Sequence, residues 1–276
     1  MKLVTVATHS ERFMPWLLQS CHRFGVDLQI LGQNQPWRGF GWRFQLMESF
    51  LQTRHPEEVI CFIDAYDVVL LRHLEPLEQL FRLMHKTSGV ELWIGSQMCL
   101  GASAWLEPLT RHYLFGSFRG IGINAGVYVG FASTLLNIIK NIHAFESADD
   151  QALLTHQLQC TSTPPVFIDT TGLLVLNLCV LPFYRLAPGK EIKVISGQLY
   201  FHDMSPFFLH GNGATDISPL LTPLGYHFTH EQQMQFRKLH AVYFWKKLIH
   251  YIQRDIENNG VQLLLLCVTL LLFFQH

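Results

Sequence analysis

Val59-Ile60-Cys61-Phe62-Ile63 is an unbroken apolar run of strand length that stops on Asp64, with a second carboxylate, Asp67, three residues further on. A strand with no polar alternation must be covered on both faces, the situation of an inner strand in a largely parallel sheet sandwiched by helices. In open α/β sheets, ligands bind outside the carboxyl ends of the strands. The two aspartates fall at that position. Carboxylates held so close raise each other's proton affinity unless a cation lies between them, and a hard divalent ion with oxygen ligands is the natural partner. The other reading open at this point is a pair of loop-capping aspartates.

The rest of the chain alternates in the same way. Leu3 to Thr8 reads as a first strand, followed by a helix carrying Phe13, Trp16, Leu17 and Phe24. Leu28 to Leu31 is a second strand, and Phe44, Met47, Phe50 and Leu51 mark a second helix. After the central strand come a helix with Leu77, Leu80, Phe81 and Met84, then a strand at Leu92 to Ile94. Val127 to Phe131 is expected as a strand, Leu135 to Ile142 as a helix, and Val166 to Ile168 and Phe207 to Leu209 as later strands. The fold class expected is α/β, with a mostly parallel, Rossmann-like central sheet.

Composition narrows the function classes. Apolar residues make up 49% of the 276 and charged ones 15%, which excludes a disordered chain. Twenty basic residues against twenty-one acidic leave a net charge of −1, so no broad basic surface for nucleic acid is expected. The six cysteines include no CxxC pair and read as free, mostly buried thiols rather than a zinc site or disulfide framework. The N-terminal Met-Lys-Leu-Val-Thr-Val-Ala-Thr reads as a strand rather than a signal peptide, so a cytoplasmic chain is expected.

Three further segments carry chemistry. His210-Gly211-Asn212-Gly213 follows a strand, offering an imidazole beside backbone that can approach phosphate closely. Asn124-Ala125-Gly126 places an amide and a glycine ahead of a strand, as in an ordinary turn. Asp149-Asp150 opens a helix, where acidic side chains are also favoured by the helix dipole alone.

In combination these segments are recognisable. The order TVAT, LGxxxxWRG, FIDAYDVVL, NAGVYVGFA, ADDQALLT, FIDTTGLLVLNL and HGNGATD, over about residues 3 to 216, resembles the glycosyltransferase domain of the procollagen lysyl hydroxylases and related collagen glycosyltransferases. That resemblance implies a GT-A fold, a UDP-sugar donor and Mn²⁺, with Mg²⁺ as the alternative ion. It implies Asp64, Asp67 and His210 as metal ligands. It further implies Tyr66 stacked on the uracil, Thr8 and Trp37 lining the nucleotide pocket, and Arg43 facing the donor phosphates. Gly211 and Gly213 would let the chain close over the diphosphate, and Asn124, Asp149 and Asp150 would surround the sugar and the acceptor hydroxyl. The chain departs from the family pattern at Val127, where a glycine is replaced, and at Asp216, where relatives have lysine. The glycine-rich stretch after the WRG turn is reduced to Phe40-Gly41-Trp42, and Ser96 to Leu100 lacks the acidic and aromatic residues expected near the acceptor. With 276 residues the chain has no room for the hydroxylase's oxygenase domain, and no lysyl hydroxylation is expected.

The expected organisation is a transferase domain over residues 1–230, then a basic, aromatic helix and an apolar segment over 231–276. The uncharged run Val261 to Phe274 would span about 21 Å as a helix, short of the ~30 Å hydrocarbon core. It reads as an interfacial membrane anchor or a buried helix. The function expected is hexose transfer, of glucose or galactose, from a UDP-sugar to a hydroxyl on a hydroxylysine-like residue, a protein or a membrane-associated glycan. The alternative is a catalytically silent nucleotide-sugar-binding or membrane-tethered interaction protein.

Overall fold

In the computed structural model, residues 1–97, 118–142, 149–160, 165–178 and 191–259 are described. In chain order the elements are β1 (Lys2–Val6), α1 (Met14–Arg23), β2 (Leu28–Leu31), α2 (Trp42–Leu51), β3 (Val59–Ile63), β4 (Val68–Leu70), α3 (Glu75–Ser88), β5 (Leu92–Ser96) and β6 (Ile123–Phe131). Then follow α4 (Ala132–Lys140), α5 (Asp150–Cys160), β7 (Val166–Asp169), β8 (Val175–Leu178), β9 (Ile192–Ile195), β10 (Gln198–Phe201), β11 (Phe208–Gly211), α6 (Ser218–Leu221) and α7 (His230–Asn259).

Six strands form the main sheet in the order β2-β1-β3-β6-β5-β7. Every neighbouring pair is parallel except those made by β6, which runs against both β3 and β5. The apolar run that opened the sequence is β3, and all five of its residues are buried. Its alternate side chains divide between two cores, as the period of a strand requires. Ile60 and Phe62 join Val4, Val6 and Tyr128 under α2, α4 and α5, with Trp42, Met47, Leu135, Ile138 and Leu154 from the helices. Val59, Cys61 and Ile63 join Leu3, Trp93 and Val129 on the opposite face, beneath Leu17 of α1 and Leu77 and Phe81 of α3. Burying such side chains stabilises by roughly 1.5–3 kcal/mol each, so the continuous run fixes the sheet's centre.

A second sheet, β4-β11-β8, stacks on that second face through Val68, Leu70, Val175 and Phe208. Its far side, Val69, Leu176 and Leu209, meets a third core containing Phe13 and Trp16 of the α1 region, Ile217 and Leu220, and Phe236 of α7. There Phe236 lies stacked on Phe13, ring centroids 4.3 Å apart, and Trp16 is stacked on Phe228 at 4.5 Å. The short β9–β10 hairpin completes the strands.

Two sequence readings are corrected here, and in the first His210 and Gly211 do not follow a strand but are the last two residues of β11. Asn124, Ala125 and Gly126 do not form a turn ahead of β6; they lie inside it, because the strand begins four residues earlier than its β-branched run suggested. The register of β5 against β6 shifts between Ile94 and Gly95, and this irregularity hides the extra length from a pattern of strict alternation. Of the cysteines, Cys21 and Cys61 are free and buried, and burial pushes both thiols up, away from reactivity. No helix among the described residues is long and apolar enough to cross a membrane. The candidate anchor at 261–276 lies outside the described residues.

Candidate functional site

A cleft of about 520 Å³ opens at the carboxyl edge of the main sheet. Strand register explains why its residues meet there. β1 and β3 are parallel and end side by side, delivering Thr8 and Asp64. Because β6 is antiparallel to β3, with Ile63 opposite Val127, it is the start of β6 that reaches this edge, carrying Asn124 and Gly126. In the second sheet His210 of β11 sits opposite Val68 at the start of β4, next to Asp67, and the Gly211 N–H donates to the Asp67 carbonyl at 2.8 Å.

The result is a cluster drawn from both sheets. Asp64, Asp67 and His210 each present one ligand atom within 4.8 Å of the others. His210 Nε2 lies 3.5 Å from Asp67 Oδ1 and 3.9 Å from Asp64 Oδ2. The imidazole is only 1% exposed, yet neither ring nitrogen has a hydrogen-bond partner. Buried polar atoms left so are costly and rare in native proteins. Gly126 keeps the space open: a Cβ there would stand 2.5 Å from His210 Cε1 and 2.8 Å from Asp64 Oδ2. Two carboxylates and an imidazole lacking a donor or acceptor fit a divalent cation such as Mn²⁺ or Mg²⁺.

The electrostatics follow from burial. Burial pushes the Asp64 carboxyl up, against the pull of Arg43. Burial also pushes on Asp67, but there His210, with Arg12 and Arg43, outweighs it and holds the carboxyl below its ordinary value. For His210, burial opposes the charged form, but Asp67 and Asp64 prevail and raise its pKa.

Arg43, from α2, is clamped between two acids, with Nη2 2.8 Å from Asp64 Oδ1 and 2.9 Å from Asp150 Oδ2. Its guanidinium also lies over the Phe62 ring at 5.0 Å. Asp150, at the start of α5, is buried, and that burial pushes its pKa up to about 6, against the counter-pull of Arg43. Its neighbour Asp149 is exposed and accepts the Ala152 N–H at 2.8 Å, capping α5. The Asn124 side chain accepts from the Gly126 N–H at 2.9 Å and donates to Gln151 Oε1 at 3.3 Å.

On the other wall, the Tyr66 hydroxyl accepts the Thr8 N–H at 3.1 Å, so the strand end and the loop between the aspartates are tied together. Trp37 is 42% exposed at the rim, edge-on to Phe40 and Trp42. Gly213, at φ +68°, runs beneath the Tyr243 ring of α7, where a Cβ would meet Cε1 at 2.3 Å. Of the sequence-predicted site residues, Thr8, Trp37, Arg43, Asp64, Tyr66, Asp67, Asn124, Asp149, Asp150, His210 and Gly213 all line this cleft. Gly211 does not; it lies behind the wall, against the Thr215 carbonyl. Asp216, which the sequence reading set apart, accepts from the Ser218 N–H and hydroxyl at the start of α6. Sequence reasoning missed Arg12, Gln151 and Tyr243 in the lining. Tyr243 gave no signal beyond helical periodicity.

Residues 1–232 match the family model of the PLOD GT domain. The multifunctional procollagen lysine hydroxylase and glycosyltransferase LH3 of Rattus norvegicus is 25% identical over 244 residues, covering 78% of this chain and 30% of the relative. The multifunctional procollagen lysine hydroxylase and glycosyltransferase of Caenorhabditis elegans is 24% identical over 233 residues, covering 76% and 30%. The chain thus matches 30% of the length of these curated relatives. Among solved structures, a glycosyltransferase involved in glycosylation of the major capsid of PBCV-1 aligns over 85% of this chain and 100% of its own, at 10% identity and a TM-score of 0.44. A197 from STIV aligns over 61% and 81%, at 16% identity and a TM-score of 0.37.

Proposed function

Because the chain belongs to the PLOD GT domain family of glycosyltransferases, we propose that it transfers a hexose from a UDP-sugar to a hydroxyl acceptor in a Mn²⁺-dependent reaction. The observation that carries this reading is the convergence of Asp64, Asp67 and His210 in the cleft, with ligand atoms within 4.8 Å of one another and neither histidine nitrogen in a hydrogen bond. These three residues would hold the ion, which when bound supplies a Lewis acid for the charge that develops on the departing diphosphate.

The chain's own residues then divide the work. Tyr66, fixed by its bond from the Thr8 N–H, offers a ring face to the uracil, with Trp37 at the rim of the same pocket. Arg43 acts through the acids it bridges, holding the Asp64 carboxylate in place at 2.8 Å and Asp150 at 2.9 Å. Asp150 is the carboxyl best tuned to accept the acceptor's proton, since a base whose pKa lies near working pH is the most effective. Asn124, oriented by Gly126 and Gln151, presents an amide to the sugar hydroxyls. Asp149 is committed through one oxygen to capping α5, leaving the other toward the cleft. The transferase unit proposed covers residues 1–230, with 231–276 appended to it. The acceptor class proposed is a hydroxyl on protein or on a glycan held at a membrane.

The test is UDP release from UDP-glucose, UDP-galactose and the corresponding N-acetyl sugars, with and without Mn²⁺. Release from one hexose donor that requires Mn²⁺ is expected. Tight Mn²⁺–UDP binding with no release or transfer over a broad acceptor panel would instead identify a silent nucleotide-sugar-binding domain.

A further inference from the structure

Arg12 occupies a backbone conformation that its side chain does not favour. It sits at φ +50°, the left-handed region, between exposed Glu11 and buried Phe13. Non-glycine residues held there carry strain that the surrounding structure must maintain, and such residues cluster at ligand sites. The conformation turns the guanidinium into the cleft. Its Nη2 is buried and has no hydrogen-bond partner, and among the described residues its ion pair is with Asp67 Oδ2, at 3.8 Å. Arg43 stands in contrast, with both of its contacts to acids at hydrogen-bond distance. Of the two described arginines that line the cleft, Arg12 is the one with a buried Nη2 that lacks a hydrogen-bond partner and so has a donor to give to a ligand.

A planar guanidinium with unfilled donors next to a cation site is suited to pairs of anionic oxygens, which it binds with two parallel hydrogen bonds. Asn212, Gly213 and Ala214 line the same cleft. We propose that Arg12 is a diphosphate-binding residue, contacting the donor's phosphate oxygens directly while Asp67 serves the cation. This deepens the reading of the site as a UDP-sugar glycosyltransferase and rests on it. The strained backbone is what keeps the group pointed inward in the absence of donor, so the ordering is made in folding rather than on binding.

The experiment uses the full chain and compares Arg12→Gly, Arg12→Gln and Arg12→Lys with the unaltered protein. Affinities for UDP and for inorganic pyrophosphate, each with Mn²⁺, are read by calorimetry. Uridine binding is read by ligand-observed NMR, and Mn²⁺ affinity alone by electron paramagnetic resonance. Losing a charge-assisted hydrogen bond should weaken UDP and pyrophosphate about ten- to hundred-fold in Arg12→Gly and Arg12→Gln. Uridine and Mn²⁺ binding should be unchanged, and Arg12→Lys should recover part of the loss. Arg12→Gly suits φ +50° and secures a folded variant. Unchanged UDP and pyrophosphate affinity overturns the proposal. A fall in Mn²⁺ affinity as large as the fall for UDP also overturns it, because Arg12 would then be a prop for Asp67. If the unaltered protein binds Mn²⁺–pyrophosphate but not UDP, the nucleotide reading fails, while the pyrophosphate series still decides the role of Arg12. Binding of neither ligand overturns both.

Discussion

His210 holds its proton to higher pH than a free imidazole because two acids face it inside the protein, and this sets how the site should respond to acid. Burial works against the charged ring, but Asp67 and Asp64 outweigh it and lift the pKa above the ordinary 6.5. In the cation-free protein the stabilisation from that contact is complete below 6.5 and is lost as pH rises through the raised value. Cation binding runs the other way, since a histidine ligand must shed its proton. Mn²⁺ affinity should therefore fall as pH is lowered through the raised pKa, with protons released on binding. Calorimetry in buffers of different ionisation enthalpy measures both, and pH-independent affinity would remove His210 from the ligand set. Asp64 was legible in sequence because it sits where an apolar strand stops, whereas Asp67, which leads into β4, and His210, inside β11, were joined to it through the family resemblance. Arg12 was not, because what marks it is a backbone angle and an empty donor rather than a residue pattern. The roles of Asp149 and Asp216 as helix caps were legible only as a general preference of aspartate for such positions.

At the scale of elements, α7 meets the body through aromatic rings. Phe236 stacks on Phe13 and meets Trp16 edge-on at 5.6 Å, while Trp16 also donates its indole N–H to the His227 carbonyl. Removing a buried phenyl ring of this kind costs about 3–5 kcal/mol. Phe236→Ala should accordingly loosen α7, which would appear as faster amide exchange along 230–243 than in β1, β3 or β6, measured by mass spectrometry. Equal exchange in both would show that the helix is held elsewhere. The main sheet and its helices were readable from apolar periodicity, since β3 and its neighbours carry long buried runs. The second sheet was less so: β4 is three residues and β8 four, too short for a period to declare itself. The start of β6 was misread because Asn124 and Gly126, residues typical of turns, are used there for the site they line.

At the scale of the whole molecule, the six-stranded and three-stranded sheets lie face to face, and the candidate ligands are divided between them. Asp64 leaves the main sheet, Asp67 leads into β4, and His210 belongs to β11. A ligand that binds only the folded state stabilises it by about 2.7 kcal/mol at a hundredfold excess over Kd, which for a chain of this size shifts the melting midpoint by about 5 °C. Mn²⁺ with UDP should produce such a rise, and Asp67→Ala should erase it; scanning calorimetry reads both, and a rise that persists in Asp67→Ala would place the cation somewhere else. Which face of the molecule bears the cleft was foreseeable from where β3 ends, but not that a second layer would supply the imidazole, because nothing local to His210 announces its partner some 140 residues earlier in the chain. Splitting the ligands in this way makes cargo and clasp the same object. On the function proposed, a molecule charged with its substrate would be fastened along the seam between its layers and a starved one would not, so resistance to a protease would become a gauge of how well the donor is supplied.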